Sequence, residues 1–183
     1  MPSFESPTHS RRVEVQLDHK YCHRCGQSLQ TEEVNGARRP TCPACGMVVY
    51  FDPKLAAVVL VSDSDNLLFV RRAIEPMLGR WSFPSGYVDR GEAVEHAAVR
   101  EVREETNLDV ETTGLLGVYS SNGSPVALVA YAARVTGGVL RAGDEAQDAR
   151  FFPVDALPEL PFPHDDQILK DWRKKKQLKN QQT

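Results

Sequence analysis

The segment from Gly86 to Leu108 constrains the fold of this chain more than any other part of the sequence. It reads GYVDRGEAVEHAAVREVREETNL and, from Glu92 onward, contains good helix formers and no proline. Asp89 and Gly91 are start signals of the kind found just before a helix. The sequence therefore predicts a helix over this segment. One arc of that helix is apolar and suited to packing on a sheet, because it carries Ala98, Val99 and Val102.

Three glutamates share a neighbouring arc of the predicted helix. Glu101, Glu104 and Glu105 are related as i, i+3 and i+4, so they span roughly 100° of a helix. Such a patch repels itself unless a cation neutralises it, and Mg²⁺ and Mn²⁺ prefer carboxylate oxygens. The alternative is a solvated helix face, in which Arg100 and Glu104 form an ordinary i, i+4 pair. A magnesium or manganese site would indicate a phosphorylated substrate.

The full spacing of this segment resembles the Nudix box of the Nudix hydrolase superfamily. That motif has fixed Gly, Glu and REuxEExGu positions, and every charged position is filled here, by Glu92, Arg100, Glu101, Glu104 and Glu105. Asn107 stands where the family normally has Gly. Because Asn tolerates the left-handed conformation that follows a last helical turn, we expect Asn107 to keep the fold and the site intact.

Two cysteine pairs upstream predict a second metal site. The motifs Cys22–Cys25 and Cys42–Cys45 are each C-x₂-C, with sixteen residues between them, which is zinc-ribbon spacing. The glycine after each motif permits the left-handed kink that such turns need. The alternative is two disulfides in a secreted protein. His19 and His23 are spare ligand candidates, which we expect to face solvent.

Composition places the chain among globular proteins. Its 183 residues, 41% of them hydrophobic, are enough for one core and a small metal-stabilised module. The net charge of −3 does not favour bulk binding to nucleic acid or membranes. The longest apolar run, Leu55–Val61, is too short to span a bilayer, and Met1–Lys20 lacks the apolar core of a secretory signal. We therefore expect a cytoplasmic, reduced protein.

The pattern along the chain predicts four segments: a flexible N-terminus (1–18), a zinc ribbon (19–50), a Nudix hydrolase domain (54–172) and a basic C-terminal tail (173–183). Within the third, strand-like runs bounded by turn signals are predicted at 55–61, 67–71, 110–119, 125–135 and 149–154, and a short strand and loop at 79–86. A helix is predicted near 165–178.

The resemblance to the Nudix superfamily, in the subgroup with an N-terminal zinc ribbon, implies an α/β fold. This is an α/β/α sandwich with a mixed sheet and the ribbon before it. The resemblance implies metal-dependent hydrolysis of a diphosphate linkage, and relatives suggest a homodimer. It further implies Mg²⁺ or Mn²⁺ ligands at the Gly86 carbonyl and at Glu101, Glu104, Glu105 and Glu145.

The same resemblance implies other roles near the metal ligands. Glu104 or Glu105 doubles as general base, Arg100 orients a glutamate, and Glu92 braces the loop. Arg71 and Arg72 are candidate phosphate contacts, because a guanidinium matches phosphate oxygens, although an exposed strand edge explains them equally well.

The expected substrate is a nucleoside diphosphate derivative. NADH pyrophosphatases carry a Ser-Gln-Pro-Trp-Pro-Phe-Pro signature shortly after the box, whereas this chain has Ser120-Ser-Asn-Gly-Ser-Pro125-Val-Ala. The later Leu160-Pro-Phe-Pro163 lies too far along the sequence to substitute for it. ADP-ribose or FAD is therefore favoured over NADH.

A regulator is the competing hypothesis. In it, a Nudix fold senses a ligand and the ribbon binds nucleic acid through Arg24, Arg38 and Arg39. The complete acidic motif and the absence of a strongly basic composition argue against this hypothesis. The basic stretch Arg173–Lys176 is better explained as the solvated C-terminal end of a helix, whose dipole it complements.

Overall fold

The computed structural model describes residues 19–180, without the side chains of the last two. The predicted flexible N-terminus (1–18) lies outside these residues, as do 181–183. The chain divides into two compact units between Asp52 and Pro53. In the described part of the chain, no helix combines the length and the hydrophobicity needed to cross a membrane.

The first unit is a β-hairpin with a cysteine turn beside each strand. Strand β1 (Gln30–Val34) pairs antiparallel with β2 (Ala37–Thr41). The predicted left-handed glycines are confirmed, since φ is 75° at Gly26 and 70° at Gly46. In each turn the glycine N–H donates to the carbonyl of the first cysteine of its motif, at 2.8 and 2.9 Å.

The second unit is built on a seven-stranded sheet. The path β5-β4-β3-β8-β7 is extended by β6 beside β3 and by β9 beside β4, and only β3 and β8 pair in parallel. The predicted mixed sheet is therefore confirmed. Its elements are β3 (Lys54–Asp63), β4 (Asn66–Arg72), β5 (Trp81–Ser82), β6 (Ser85–Tyr87), α1 (Val94–Thr106), β7 (Leu108–Tyr119), β8 (Val126–Gly138), β9 (Ala146–Pro153) and α2 (Asp165–Asn180).

One helix covers each face of this sheet. Alternate residues of β3 point to opposite faces, so Val59 packs in the core beneath α1 and Leu60 in the core beneath α2. Both are fully buried, which explains the continuous apolar run in the sequence. The α/β/α sandwich is confirmed. The helix residues in the two cores are Ala97, Ala98 and Val102 of α1, and Ile168, Leu169 and Trp172 of α2.

Helix α1 begins later than the sequence predicted. Its first helical residue is Val94, and its N-cap residue is Ala93, which makes no side-chain cap. The backbone N–H of Asp89 donates to Glu92 Oε2 at 3.0 Å. The predicted start signals, Asp89 and Gly91, therefore lie in the loop before the helix. The C-terminal prediction is confirmed, because Asn107 is left-handed, with φ 58° and ψ 17°.

The basic stretch predicted as part of a tail belongs to α2, which continues to Asn180. Two of its lysine side chains contact other elements of the second unit. Lys175 Nζ donates to the Leu115 carbonyl at 2.7 Å, and Lys176 Nζ pairs with Asp65 Oδ1 at 2.8 Å. Arg173–Lys176 therefore stabilises the packing of α2.

Candidate active site

Glu105 is the most unusual carboxylate of the site, because it is buried with only 6% of its surface exposed. Its Oε2 accepts the backbone N–H of Ser85 at 3.0 Å. Within residues 19–180, no lysine or arginine forms an ion pair with it. Burial raises the pKa of Glu105 to about 8, with help from the charges of Glu101 and Glu145 and against the charge of Arg72. A buried carboxylate in this state is suited to a bound cation.

Glu101 lies directly over the backbone of Gly86. A side chain at residue 86 would overlap the Glu101 carboxylate, so only glycine permits this approach. Strand β6 holds Gly86 in place by pairing it with Ala57 of β3. Burial raises the pKa of Glu101, although Arg100 opposes that shift. The fold therefore brings the Glu101 carboxylate to the Gly86 backbone, and both residues are predicted metal ligands.

Arg100 organises the outer part of the site. Its Nε and Nη2 donate to the two carboxylate oxygens of Glu92 at 2.8 and 2.9 Å. This bidentate pair lowers the pKa of Glu92 to about 2. Its Nη1 donates to Glu101 Oε1 at 2.8 Å and to Glu104 Oε2 at 3.1 Å. Its Nη2 also donates to the carbonyl of Tyr87 at 3.0 Å, a contact that sequence analysis missed.

The three glutamates share one edge of α1 but differ in their surroundings. The Glu101 side chain is 13% exposed and that of Glu104 is 59% exposed, whereas Glu105 is buried. Arg100 donates a hydrogen bond to both Glu101 and Glu104. Among the described residues, the cysteines are the one group of three or more ligand side chains whose atoms all lie within 4.8 Å of one another.

The loop before β9 brings Glu145 toward the same helix end. Gly143 donates its N–H to the Glu105 carbonyl at 2.9 Å, and a side chain on Gly143 would overlap the Glu104 carbonyl. The loop therefore satisfies a carbonyl that α1 leaves unpaired at its C-terminus. The Glu145 charge raises the pKa of both Glu101 and Glu105. Gly143 was missed from the sequence, although a glycine two residues before an acidic candidate was a usable signal.

The two candidate arginines differ in their surroundings. Arg72 pairs with Ala146 of β9, and the Ala73 N–H donates to the Glu145 carbonyl at 2.9 Å, so Arg72 lies beside the loop that carries Glu145. Its Nε donates to the Pro76 carbonyl at 2.7 Å. Arg71 donates to the Gly79 carbonyl at 2.9 Å and is exposed.

The four cysteines have the geometry of a tetrahedral thiolate site. The Sγ–Sγ distances are 3.7 Å for Cys22 and Cys45, 3.4 Å for Cys25 and Cys42, and 3.6 Å for Cys25 and Cys45. Zn–S bonds of about 2.3 Å place tetrahedral sulfurs about 3.8 Å apart, whereas a disulfide is about 2.05 Å long. A backbone N–H from Arg24 lowers the pKa of the Cys22 thiol, whereas hydrogen bonding with the Cys42 and Cys45 sulfurs raises the pKa of Cys25 to about 12. The residues fit zinc.

Charges on the hairpin of the first unit are balanced across its strands. Arg38 lies opposite Glu33, and Arg39 lies opposite Glu32. The Arg39 guanidinium also stacks over the Tyr50 ring, 4.8 Å from its centroid. Each of these two arginines therefore has a glutamate directly across the hairpin.

The raised pKa of Glu105 predicts how stability depends on pH. Without divalent cations, the folded pKa of about 8 exceeds the ordinary value of 4.5 for a glutamate, so the folded chain retains a proton that the unfolded chain releases. Stability should therefore fall between about pH 4.5 and 8, at up to about 1.4 kcal/mol per pH unit. Urea unfolding followed by tryptophan fluorescence measures this, because both tryptophans, Trp81 and Trp172, lie in the second unit.

Glu105→Gln is the matched control for this pH series. The variant cannot ionise at residue 105, so its stability should fall less over the same range. Asp165, whose pKa burial raises to about 6, contributes equally to both proteins. Parallel profiles for the wild type and Glu105→Gln would contradict the prediction.

Comparison with known proteins agrees with this architecture. Residues 52–172 match the NUDIX domain family. An ADP-ribose pyrophosphatase from Methanocaldococcus jannaschii is 39% identical over 129 residues, which cover 68% of this chain and 75% of that protein. The NAD-capped RNA hydrolase NudC from Stutzerimonas stutzeri is 35% identical over 148 residues, covering 78% of this chain and 51% of that protein. The chain thus spans about half the length of this second relative.

Solved structures give the same result. A NUDIX hydrolase from Nitrosomonas europaea superposes with a TM-score of 0.79 at 28% identity, covering 83% of this chain and 89% of that chain. An ADP-ribose pyrophosphatase from Streptococcus suis gives a TM-score of 0.56 at 28% identity, covering 65% and 88%. From the domain match, the sequence relatives and the shared fold, this chain belongs to the Nudix hydrolase family.

Proposed function

We propose that this chain hydrolyses the diphosphate linkage of nucleoside diphosphate derivatives in a reaction that depends on Mg²⁺ or Mn²⁺. The products are a nucleoside monophosphate and a phosphorylated remainder. The observation that carries the proposal is the buried Glu105, which forms no ion pair with any described side chain, beside Glu101 on the Gly86 backbone. That arrangement is costly for a protein that never binds a cation there.

The proposed ligands form an oxygen donor set that suits hard divalent cations. They comprise three carboxylates of α1, a carbonyl on β6 and a carboxylate on the loop before β9, namely Glu101, Glu104, Glu105, Gly86 and Glu145. When bound, such cations neutralise the diphosphate oxygens and acidify water. Family membership supports this assignment, since every charged position of the motif is filled.

The residues around the metal ligands have separable roles in the proposal. Arg100 orients Glu101 and Glu104 through the hydrogen bonds of its Nη1, and Glu92 fixes the other side of that guanidinium. Arg72 contacts a substrate phosphate. Glu104 or Glu105 accepts the proton of the attacking water, and the cations set when that carboxylate is ionised.

ADP-ribose or FAD is the proposed substrate in preference to NADH. The turn between β7 and β8 replaces the aromatic, proline-rich signature with small polar residues. It is closed by its own hydrogen bonds, from Ser124 N to the Ser121 carbonyl at 3.1 Å and from Ser124 Oγ to the Val126 carbonyl at 3.1 Å. The name of the Methanocaldococcus jannaschii relative supports this choice, and the name of the NudC relatives supports NAD derivatives as the rival class.

A substrate panel tests the proposed specificity. ADP-ribose, FAD, NADH and NAD-capped RNA are incubated with Mg²⁺ or Mn²⁺, and monophosphate release is measured. We expect ADP-ribose or FAD to be cleaved at least as efficiently as NADH, because the turn offers no aromatic pocket for nicotinamide. A kcat/KM for NADH about 100-fold above both, equivalent to about 2.7 kcal/mol, would contradict this expectation.

We further propose a structural zinc ion on Cys22, Cys25, Cys42 and Cys45, a reducing cytoplasmic location and a homodimer. The first is supported by sulfur distances that match a tetrahedral site. Light scattering of the purified chain tests the dimer, for which a mass near the 20.4 kDa monomer would be evidence against.

A further inference from the structure

The Pro-Phe-Pro segment near the C-terminus is folded back toward the candidate active site. Sequence distance separates Leu160–Pro163 from the box, but the Phe162 ring lies under the guanidinium of Arg72, 5.5 Å from its carbon to the ring centroid. That distance is within the range of a cation–π contact. The segment also reaches the turn after β7, because Ser121 Oγ and His164 Nε2 are 3.0 Å apart.

The Arg72 guanidinium is held from two sides and left open on a third. Its Nε donates to the Pro76 carbonyl at 2.7 Å, and its Cζ lies over the Phe162 ring. Within residues 19–180, neither Nη atom makes a hydrogen bond or an ion pair. Arg72 pairs with Ala146 of β9, and the N–H of the next residue, Ala73, donates to the Glu145 carbonyl at 2.9 Å. The Nη groups are therefore available to an anion beside the loop that carries Glu145.

Phe162 is itself fixed by polar contacts at both ends of its segment. Its N–H donates to Asp165 Oδ2 at 2.9 Å, and Asp165, 5% exposed, begins α2. Upstream, Glu159 pairs with Arg80 at 2.7 Å, which ties the segment to the loop that follows Arg72. These contacts restrain the backbone that carries the Phe162 ring.

We propose that Phe162 is a positioning residue for substrate binding, which holds the Arg72 guanidinium with its Nη groups toward a phosphate of the bound nucleoside diphosphate derivative. This inference rests on the proposed function, and it adds a specificity determinant from outside the Nudix box. The aromatic ring does not react. It restrains Arg72 before substrate binds, so that Arg72 loses less conformational entropy on binding.

Phe162→Leu tests the role, since leucine keeps an apolar side chain but removes the π face. We expect KM for ADP-ribose to rise about three- to tenfold, with kcat changed by less than about twofold. Phe162→Tyr should restore the wild-type KM. In an Arg72→Gln background, Phe162→Leu should have no further effect, because the guanidinium it positions is gone. Calorimetry with the non-hydrolysable α,β-methylene analogue of ADP-ribose should show the same pattern in Kd.

Phe152→Leu is the matched control, because Phe152 is another partly buried ring of this unit that packs on Phe69 and Trp81. It should leave KM unchanged. Equal KM for wild type and Phe162→Leu, or independent effects of Phe162→Leu and Arg72→Gln, would overturn the inference. If the wild type hydrolyses nothing but binds the analogue, the proposed reaction fails and the Kd series still decides the role of Phe162. Absence of both hydrolysis and binding overturns both proposals.

Discussion

Replacing Glu105 by Gln should lower kcat by about 10³-fold, which corresponds to about 4 kcal/mol of lost transition-state stabilisation. Glutamine keeps the shape of the side chain and can still accept the Ser85 N–H, but it removes one negative charge from the proposed cation site. The melting temperature should not fall, because a Glu105 with a pKa of about 8 is largely protonated near neutral pH and forms no ion pair among the described side chains, so glutamine replaces a neutral group of the same shape. Steady-state kinetics with saturating Mg²⁺ and a thermal melt measure the two effects.

Two further variants are measured in the same way: Glu104→Gln as a second test of the site, and Glu95→Gln as a control. Glu104 is proposed as a ligand or base on the same edge of α1, so its variant should also lose activity. Glu95 lies on an exposed part of the first turn, outside the proposed site, and its variant should keep full turnover. Unchanged turnover in both Glu104→Gln and Glu105→Gln would reject the proposed site.

Replacing Cys42 by Ser should remove the zinc and unfold the first unit without unfolding the second. A structural zinc ion contributes about 10–16 kcal/mol in comparable small modules, far more than a short hairpin can supply alone. The second unit has its own two cores and should keep its fluorescence melt. Metal analysis should fall from one zinc per chain to none, and limited proteolysis should cleave within residues 19–52.

Ser28→Ala is the control for the zinc site, since Ser28 is exposed beside the first cysteine turn and offers no proposed ligand. It should retain one zinc per chain. Two disulfides found by mass spectrometry of the non-reduced protein, or a full zinc content in Cys42→Ser, would exclude the four-thiolate site.

The sequence alone determined those features that depend on neighbours within one turn or one helix. The spacing of Glu101, Glu104 and Glu105 placed them on one helix edge, and Asn107 was correctly expected to be left-handed. The cysteine turns followed from C-x₂-C-Gly for the same reason, because their hydrogen bonds close within a few residues. The continuous apolar run of β3 likewise indicated a buried strand.

Only the tertiary structure decided how these residues differ from one another. Glu104 and Glu105 are adjacent and chemically identical in the sequence, yet one is exposed and the other is buried. That difference depends on Ser85, on the loop at Gly143 and on the sheet that carries them. These contacts join residues far apart in the chain, so no local pattern encodes them. For the same reason, the contact of Phe162 with Arg72, 90 residues apart, became visible only in the folded chain.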